Sequence, residues 1–286
     1  MREGLELAVA QLDSRPRQRA ANAEQVLAAA EHARADVVLT PELSLTGYDV
    51  RDAAPALAVP LAIGEPLTAP YEVLARAPGT VVAGVLERGL DEVPYNAAVV
   101  LERGSVRHVH RKLYLPTYGM FDEARWFGRG QRLEPVVLEG GWRAGVLVCE
   151  DFWHPGLSYV LAAAGIDVLL VLAAGPGRGA WDGGEHGEFA SADAWERIAR
   201  TTAQLYGIYV ALANRCGVEG GATFAGGSLI VGPAGDVLAR AGSLEPETIR
   251  APLDPDALAR ARRPAYHGRD DDPRLVSREL ARLGLA

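Results

Sequence analysis

Cysteine is scarce: Cys149 and Cys216 are the two thiols among 286 residues. Two cysteines cannot make the disulfide framework of a stapled secreted fold, and both read as reduced thiols in a reducing compartment. No apolar run reaches the roughly 18 residues that a membrane-spanning helix needs. The opening MREGLELAVAQLDSRPRQ also lacks the apolar stretch and small-residue cleavage site of a signal peptide. A cytoplasmic protein with no membrane partner is expected. Basic charge is in deficit, with 29 Lys+Arg against 37 Asp+Glu and a formal net charge of -8, which argues against a dedicated nucleic-acid surface. No Ser/Gly/Pro-rich linker, block of like charge or internal repeat divides the chain, so residues 1–286 read as a single domain.

The sequence does contain enough apolar residues, 49% of the total, for a sizeable core. Short runs dense in Val, Leu, Ile and Ala are continuous rather than alternating, as strands covered on both faces are. The expected strands are LELAVAQ, DVVLT, TVVAGVL, NAAVVLE, WRAGVLVC, DVLLVLA, IYVALAN and GSLIVG. Between them, Arg17 to Ala35, Pro155 to Ala164 and Glu188 to Tyr206 have the spacing of helices with one buried face. This is an α/β layout. Tyr95 to His110 and Ser228 to Arg240 read as hairpins, so the sheets are expected to be mixed rather than purely parallel. The Arg- and Asp-rich stretch Arg262 to Ala286 reads as a C-terminal tail or a subunit-contact arm.

Three segments carry candidate chemistry. In WRAGVLVCEDFWHP an apolar strand ends at Cys149 and a polar turn leads into a helix, placing a thiol at the carboxyl edge of a strand. Ligands bind at that edge in open α/β architectures, and the thiol is a candidate nucleophile. In DVVLTPELSLTGY a strand runs into Thr40-Pro41 and then presents Glu42, whose desolvation would suit a general base. In HRKLYLPTYGMFDEARWFGRG, aromatic residues surround Lys112 and Glu123, a pocket wall with a cation able to stabilise an oxyanion. Each admits a blander reading: a cysteine packed as a small hydrophobe, a carboxylate at a helix start, a loop whose charges are solvated.

Other features argue for less. Cys216 lies in a Gly-rich stretch, ANRCGVEGG, and reads as a packing residue. His32, His108, His110, His154, His186 and His267 show neither metal-ligand spacing nor a Ser/His/Asp order, and no metal site is expected. The run Gly175-Pro176-Gly177-Arg178-Gly179 lacks the full phosphate-loop pattern.

Glu42, Lys112 and Cys149, in that chain order, closely resemble the Glu-Lys-Cys triad of the nitrilase superfamily of carbon-nitrogen hydrolases. The resemblance also takes in Gln11, P-E-L-x-L-T-G-Y, Tyr95-Asn96, R-K-x-Y-L-P-T-Y-G-x-F-D-E, C-E-D-F-W-H-P and F-x-G-G-S-L-I-V-x-P-x-G, all in family order. The wording around Lys112 and Cys149 is most similar to the glutaminase domain of glutamine-dependent NAD synthetase. A true nitrilase is less similar, because those enzymes usually carry C-W-E where Glu150 follows Cys149 here.

The resemblance implies a four-layer α-β-β-α sandwich that pairs into a homodimer or higher homo-oligomer. It implies hydrolysis of a small-molecule amide with no metal or organic cofactor. Glu42 would be the base, Cys149 the nucleophile and Lys112, with the backbone N–H of Glu150, the oxyanion donor. Glu123 matches the family's second glutamate, while Tyr48, Tyr118 and Phe121 match positions lining the glutamine pocket. Glu150 and Trp153 complete the expected substrate-binding set. Neither the length nor the motifs of an ATP-using synthetase domain are present, which implies a free-standing amidase; a glutaminase-type subunit feeding a synthetase partner is the alternative. One departure concerns the substrate: Ala173 and Gly175 stand where those glutaminase domains carry the Asn and Ser of N-x-S-P.

Overall fold

The computed structural model describes residues 3–179, 189–263 and 267–285. Its strands are β1 (Leu5–Gln11), β2 (Val37–Leu39), β3 (Thr80–Arg88), β4 (Pro94–Glu102), β5 (Ser105–Arg111), β6 (Val136–Val137) and β7 (Arg143–Val148), then β8 (Val168–Ala173), β9 (Tyr209–Asn214), β10 (Cys216–Glu219), β11 (Ala222–Ala225), β12 (Leu229–Val231), β13 (Val237–Arg240) and β14 (Glu247–Leu253). The α-helices are α1 (Arg19–Ala33), α2 (Ala54–Leu57), α3 (Glu123–Trp126), α4 (Pro155–Ala163), α5 (Ala190–Tyr206), α6 (Pro255–Arg262) and α7 (Pro273–Arg282).

Two six-stranded sheets form the centre, one in the order β14-β1-β2-β3-β4-β5 and the other β13-β12-β9-β8-β7-β6. Both are mixed. β1, β2 and β3 run parallel, as do β7, β8 and β9, while the strands at each side, β14, β4 and β5 in one sheet and β13, β12 and β6 in the other, pair antiparallel.

Side-chain alternation sorts the first sheet into two faces. Leu7, Val9, Leu39, Val82, Ala98 and Val100 share a core cluster with β7, β8 and β9 of the second sheet. Their neighbours Ala8, Ala10, Val38, Val81, Ala83, Val99 and Leu101 pack instead with Val26, Leu27 and Ala30 of α1. Both faces are covered, which is why these strands read as unbroken apolar runs. On the far side, Leu161 of α4 and Trp195, Ala199 and Ala203 of α5 join the core of the second sheet. The result is the four-layer α-β-β-α sandwich that the resemblance implies.

Each expected strand is present, and β4–β5 and β12–β13 are the expected hairpins. Three differences are informative. The Gly-rich stretch after Cys216 is the β10–β11 hairpin rather than a loop. β14, absent from the sequence reading, pairs antiparallel with β1 and closes that edge of the sheet. Residues 273–282 of the expected tail form α7, started by the Asp272 side chain accepting the Arg274 N–H. His186 and the expected start of α5 at Glu188 lie outside the described residues, as do residues 264–266 and 286 of that tail. Among the described residues no helix is long and apolar enough to cross a membrane.

Candidate active site

Glu42 sits in the turn that follows β2. Thr40 N–H donates to Val82 O at 2.9 Å and Leu45 N–H to Gly84 O at 3.0 Å, so the turn is laced to β3 on both sides of the glutamate. Gly84 permits this approach, because a Cβ there would lie 2.2 Å from Leu43 N and 2.5 Å from Pro41 O. Leu43 takes a left-handed φ of 49° within the same turn. The glutamate side chain is thereby held in a buried, rigid place.

Lys112 follows β5, fixed at both backbone ends by Lys112 N–H to Asn96 O and Gly130 N–H to Lys112 O, each 2.8 Å. Its side chain is fully buried, and Nζ donates to Glu42 Oε1 at 2.6 Å and to Glu123 Oε1 at 2.8 Å. Asn96 Nδ2 donates to the same Glu42 oxygen at 2.8 Å, and the Tyr48 hydroxyl donates to Glu123 Oε1 at 2.5 Å. Lys112 is the one lysine in the whole chain, against 28 arginines. That ratio was a sequence signal in its own right: where every other cation is a forked guanidinium, the position needing a compact point charge kept an ammonium.

Cys149 follows β7 at a left-handed φ of 49°, an uncommon conformation for a residue with a Cβ and one that recurs at functional turns. Asp151 holds this turn against the lysine loop. Its Oδ1 accepts the N–H groups of Leu113 and Tyr114, both at 2.9 Å, while Oδ2 lies 2.9 Å from His110 Nε2 and accepts Val148 N–H at 3.2 Å. Asp151, His110 and Asn96 carry no assigned role in the sequence reading, although each stands in a motif quoted for it.

The electrostatics follow from this packing. Burial pushes the Cys149 thiol well above its usual range and Glu42 adds to the rise, while Lys112 and the Ala174 N–H oppose it without prevailing. Burial works against the Lys112 ammonium, yet Glu123 and Glu42 overcome it and hold its pKa well above the ordinary lysine value. Burial also raises Glu123, against the pull of Lys112 and with the push of Glu42. Glu42, Lys112 and Glu123 are thus joined by hydrogen bonds, and Cys149 feels the charge of all three. The site holds a protonated thiol, a fixed cation and, in Glu42 Oε2, a buried acceptor without a hydrogen-bond partner among the described residues.

A cavity of about 1000 Å³ lies beside this cluster, with Tyr48, Phe121, Glu123, Arg178, Phe189 and Phe224 among its lining residues. Of the expected substrate-binding residues, Tyr48 and Phe121 line it and meet edge to face at 6.2 Å. Tyr118 packs edge-on against Phe121 at 5.6 Å, and its hydroxyl donates to Glu150 Oε2 at 2.6 Å. Trp153 is outside this wall; it packs against Trp195 at 5.1 Å and is partly exposed. Gly175, the position of the missing serine, donates its N–H to Asn214 Oδ1 at 2.8 Å, and a Cβ there would lie 2.6 Å from Trp195 Nε1.

Comparison with known proteins places this geometry in a family. The profile of the family described as Carbon-nitrogen hydrolase matches residues 6–263. A glutamine-dependent NAD(+) synthetase of Rhodobacter capsulatus is 32% identical over 258 residues, covering 89% of this chain and 44% of that enzyme. One from Xylella fastidiosa is 34% identical over 244 residues, 83% of this chain and 42% of that enzyme. The chain therefore spans less than half the length of these curated relatives. Among solved structures, a glutamine-dependent NAD+ synthetase from Acinetobacter baumannii superposes with a TM-score of 0.76 at 24% identity, covering 90% of this chain and 47% of that one. An amidase from Nesterenkonia sp. superposes with a TM-score of 0.73 at 26% identity, covering 96% and 95%.

Proposed function

The chain belongs to the carbon-nitrogen hydrolase family, in the nitrilase superfamily, and from that premise we propose that it hydrolyses a small linear carboxamide, releasing ammonia through a thioester on Cys149. The observation that carries this reading is the buried ammonium of Lys112 clamped between Glu42 and Glu123, beside a thiol that burial keeps protonated. A protonated thiol needs a base, and Glu42 has an oxygen with no hydrogen-bond partner among the described residues.

In the first half-reaction Cys149 Sγ bonds to the amide carbon as Glu42 takes the thiol proton. The carbonyl oxygen becomes an oxyanion, held by Lys112 and the backbone N–H of Glu150. A single such donor is typically worth about 3 kcal/mol. Collapse breaks the carbon-nitrogen bond, Glu42 passes its proton to the departing nitrogen, and ammonia leaves. In the second half Glu42 takes a proton from water as the water oxygen bonds to the thioester carbon. Collapse breaks the carbon-sulfur bond, returns the proton to sulfur and releases the acid. Glu123, with Tyr48 behind it, keeps Lys112 charged and in register.

The Trp195 indole supports a substrate other than glutamine, because it occupies the space that a side chain at position 175 would need. The second reading, a glutaminase-type subunit supplying ammonia to a synthetase partner, draws on the NAD synthetase relatives that this chain matches over less than half their length. In either reading we place the protein in the cytoplasm, as one hydrolase domain forming a homodimer or higher homo-oligomer. The exposed leucines of α7 would serve as the subunit-contact arm.

The test is ammonia release from aliphatic amides, glutamine, asparagine and carbamoyl amines, with wild type beside Cys149→Ala. Cysteine-dependent release from one class supports the amidase and names its substrate family. Release that appears only after a synthetase partner is added favours the second reading, and release that survives the substitution ends both.

A further inference from the structure

We infer that Glu219, held in place by Arg215, is a positioning residue for the proposed hydrolysis: it fixes the turn that carries Tyr48, and through the Tyr48 hydroxyl it sets Glu123 against Lys112. This rests on the amidase reading above and adds to it a brace supplied by the β10–β11 hairpin.

Glu219, the last residue of β10, and Arg215, immediately before that strand, form an ion pair with 2% and 1% of their side chains exposed. Burying two such charges costs desolvation that their attraction offsets only where further hydrogen bonds satisfy the remaining donors and acceptors. Those bonds are made with distant segments. Arg215 Nη2 donates to Ser14 O at 2.6 Å, and the guanidinium lies 4.7 Å from the centroid of the Phe224 ring. Both Glu219 oxygens accept from one turn: Oε2 takes the Tyr48 N–H at 2.9 Å and Oε1 the Asp49 N–H at 3.0 Å. Gly47 makes room for the carboxylate, with φ +80° and a Cβ position 3.0 Å from Glu219 Oε1.

Tyr48 carries that constraint to the lysine. With its backbone pinned, its ring meets Phe121 at 6.2 Å and Phe224 at 5.8 Å, both edge to face. Its hydroxyl donates to Glu123 Oε1 at 2.5 Å, the same oxygen that accepts from Lys112 Nζ at 2.8 Å. Glu219, Tyr48 and Glu123 therefore link the hairpin to the buried ammonium. Burial raises the Glu123 carboxyl to about 7 and Glu42 adds to the rise, while Lys112 and the Tyr48 hydroxyl oppose it. A Tyr48 that drifts from Glu123 removes part of that opposition. Glu123 then takes a proton more readily, and Lys112 loses the charge that keeps it in register. Because it acts through Tyr48, Glu219 needs no contact with the substrate.

The experiment is a double-mutant cycle of Glu219→Gln and Tyr48→Phe. It is read by kcat and KM for an amide that the wild type turns over and, independently of turnover, by the pH profile of iodoacetamide alkylation on the Cys149 peptide. Glutamine keeps one acceptor and turns an NH₂ toward the other backbone N–H. In each single variant kcat should fall about 10- to 100-fold, the worth of a hydrogen bond to a charged group, with KM moving less. Burial and Glu42 raise the Cys149 thiol most and Glu123 adds to them, so a more protonated Glu123 should move the alkylation profile to lower pH in both. In the Tyr48→Phe background Glu219→Gln should add less than about twofold, because the hydroxyl link is already gone. Arg215→Lys keeps a cation beside Glu219 but loses the fork that also reaches Ser14. It should fall between wild type and Glu219→Gln, and it replaces Glu219→Gln in the cycle if that variant does not fold. Losses that multiply in the double variant, a change in KM alone, or wild-type kcat and alkylation in either single variant would overturn the assignment. A wild type that releases ammonia from no amide counts against the amidase reading, and the alkylation profiles then decide the brace by themselves.

Discussion

Asp151, two residues after Cys149, and His110, two residues before the buried Lys112, lie 2.9 Å apart with both side chains almost wholly shielded from solvent. The same carboxylate accepts Leu113 and Tyr114 N–H from the lysine loop and Val148 N–H from the strand that ends before Cys149. One side chain therefore sets the distance between Cys149 and Lys112. In Asp151→Asn an amide NH₂ must face donors in place of one oxygen, and a broken charged hydrogen bond costs about 1.5–3 kcal/mol. We expect a lower melting temperature and a fall in kcat well beyond the change in KM, read by thermal unfolding and steady-state kinetics of the same preparation. A melting shift with kinetics intact would limit Asp151 to a structural role.

Glu42→Gln separates the proposed base from the charge it carries. Burial and then the Glu42 carboxylate raise the thiol pKa, so a neutral glutamine lowers it while Lys112 remains to favour the thiolate. The rate of Cys149 alkylation by iodoacetamide should rise at lower pH than in wild type, even as turnover falls by about 10²–10⁴-fold, the usual contribution of a general base. An alkylation profile shifted to higher pH would contradict the account.

Lys112→Met leaves Glu42 and Glu123 facing each other without their cation. Breaking a buried pair in this way costs about 3–5 kcal/mol. The sign with pH is fixed. Glu123 is already raised by burial and by Glu42, and Lys112 is what holds it down, so the variant's folded-state carboxyl pKa rises further. A raised carboxyl pKa makes the folded state bind more protons than the unfolded one, and stability falls as pH climbs through the window between the two values. Urea unfolding should find the variant closer to wild type near pH 5 than at pH 8.

Gly84→Ala tests the mounting of Glu42 rather than its chemistry. The added methyl meets backbone atoms of Pro41, Glu42 and Leu43, which cannot rotate away. Overpacking of this kind costs about 1–3 kcal/mol, and because the strained contact is with the glutamate's own turn, activity should fall more than stability alone explains. A variant with wild-type melting and turnover would show that the turn can yield.

The sequence disclosed what the interior required and little of what the edges required. β1, β3, β4, β8 and β9 were legible because each is buried on both faces and reads as an unbroken apolar run. The carboxyl ends of β2 and β7 displayed Glu42 and Cys149 where a polar residue follows such a run. β14, with the sequence ETIRAPL, alternates exposed and buried residues and carries a proline, and its partner β1 lies more than 230 residues away, so no local pattern announced it. Glycines at positions 217, 220 and 221 disguised the β10–β11 hairpin as a loop. Trp153 follows Cys149 closely in sequence, and its side chain packs on Trp195 of α5. Asp151 was visible only as a letter of C-E-D, because the four groups that it joins come from two separate stretches of chain.

The central claim is a covalent thioester on Cys149, and intact-protein mass spectrometry tests it directly. Wild type and Glu42→Gln are mixed with a turned-over amide, quenched in acid within the first turnovers, and digested to locate any added mass. The account predicts an acyl group on the peptide carrying Cys149, persisting longer in Glu42→Gln because water is no longer activated, and absent from Cys149→Ala. Steady ammonia release with no acyl mass on that peptide, or release undiminished in Cys149→Ala, would contradict it.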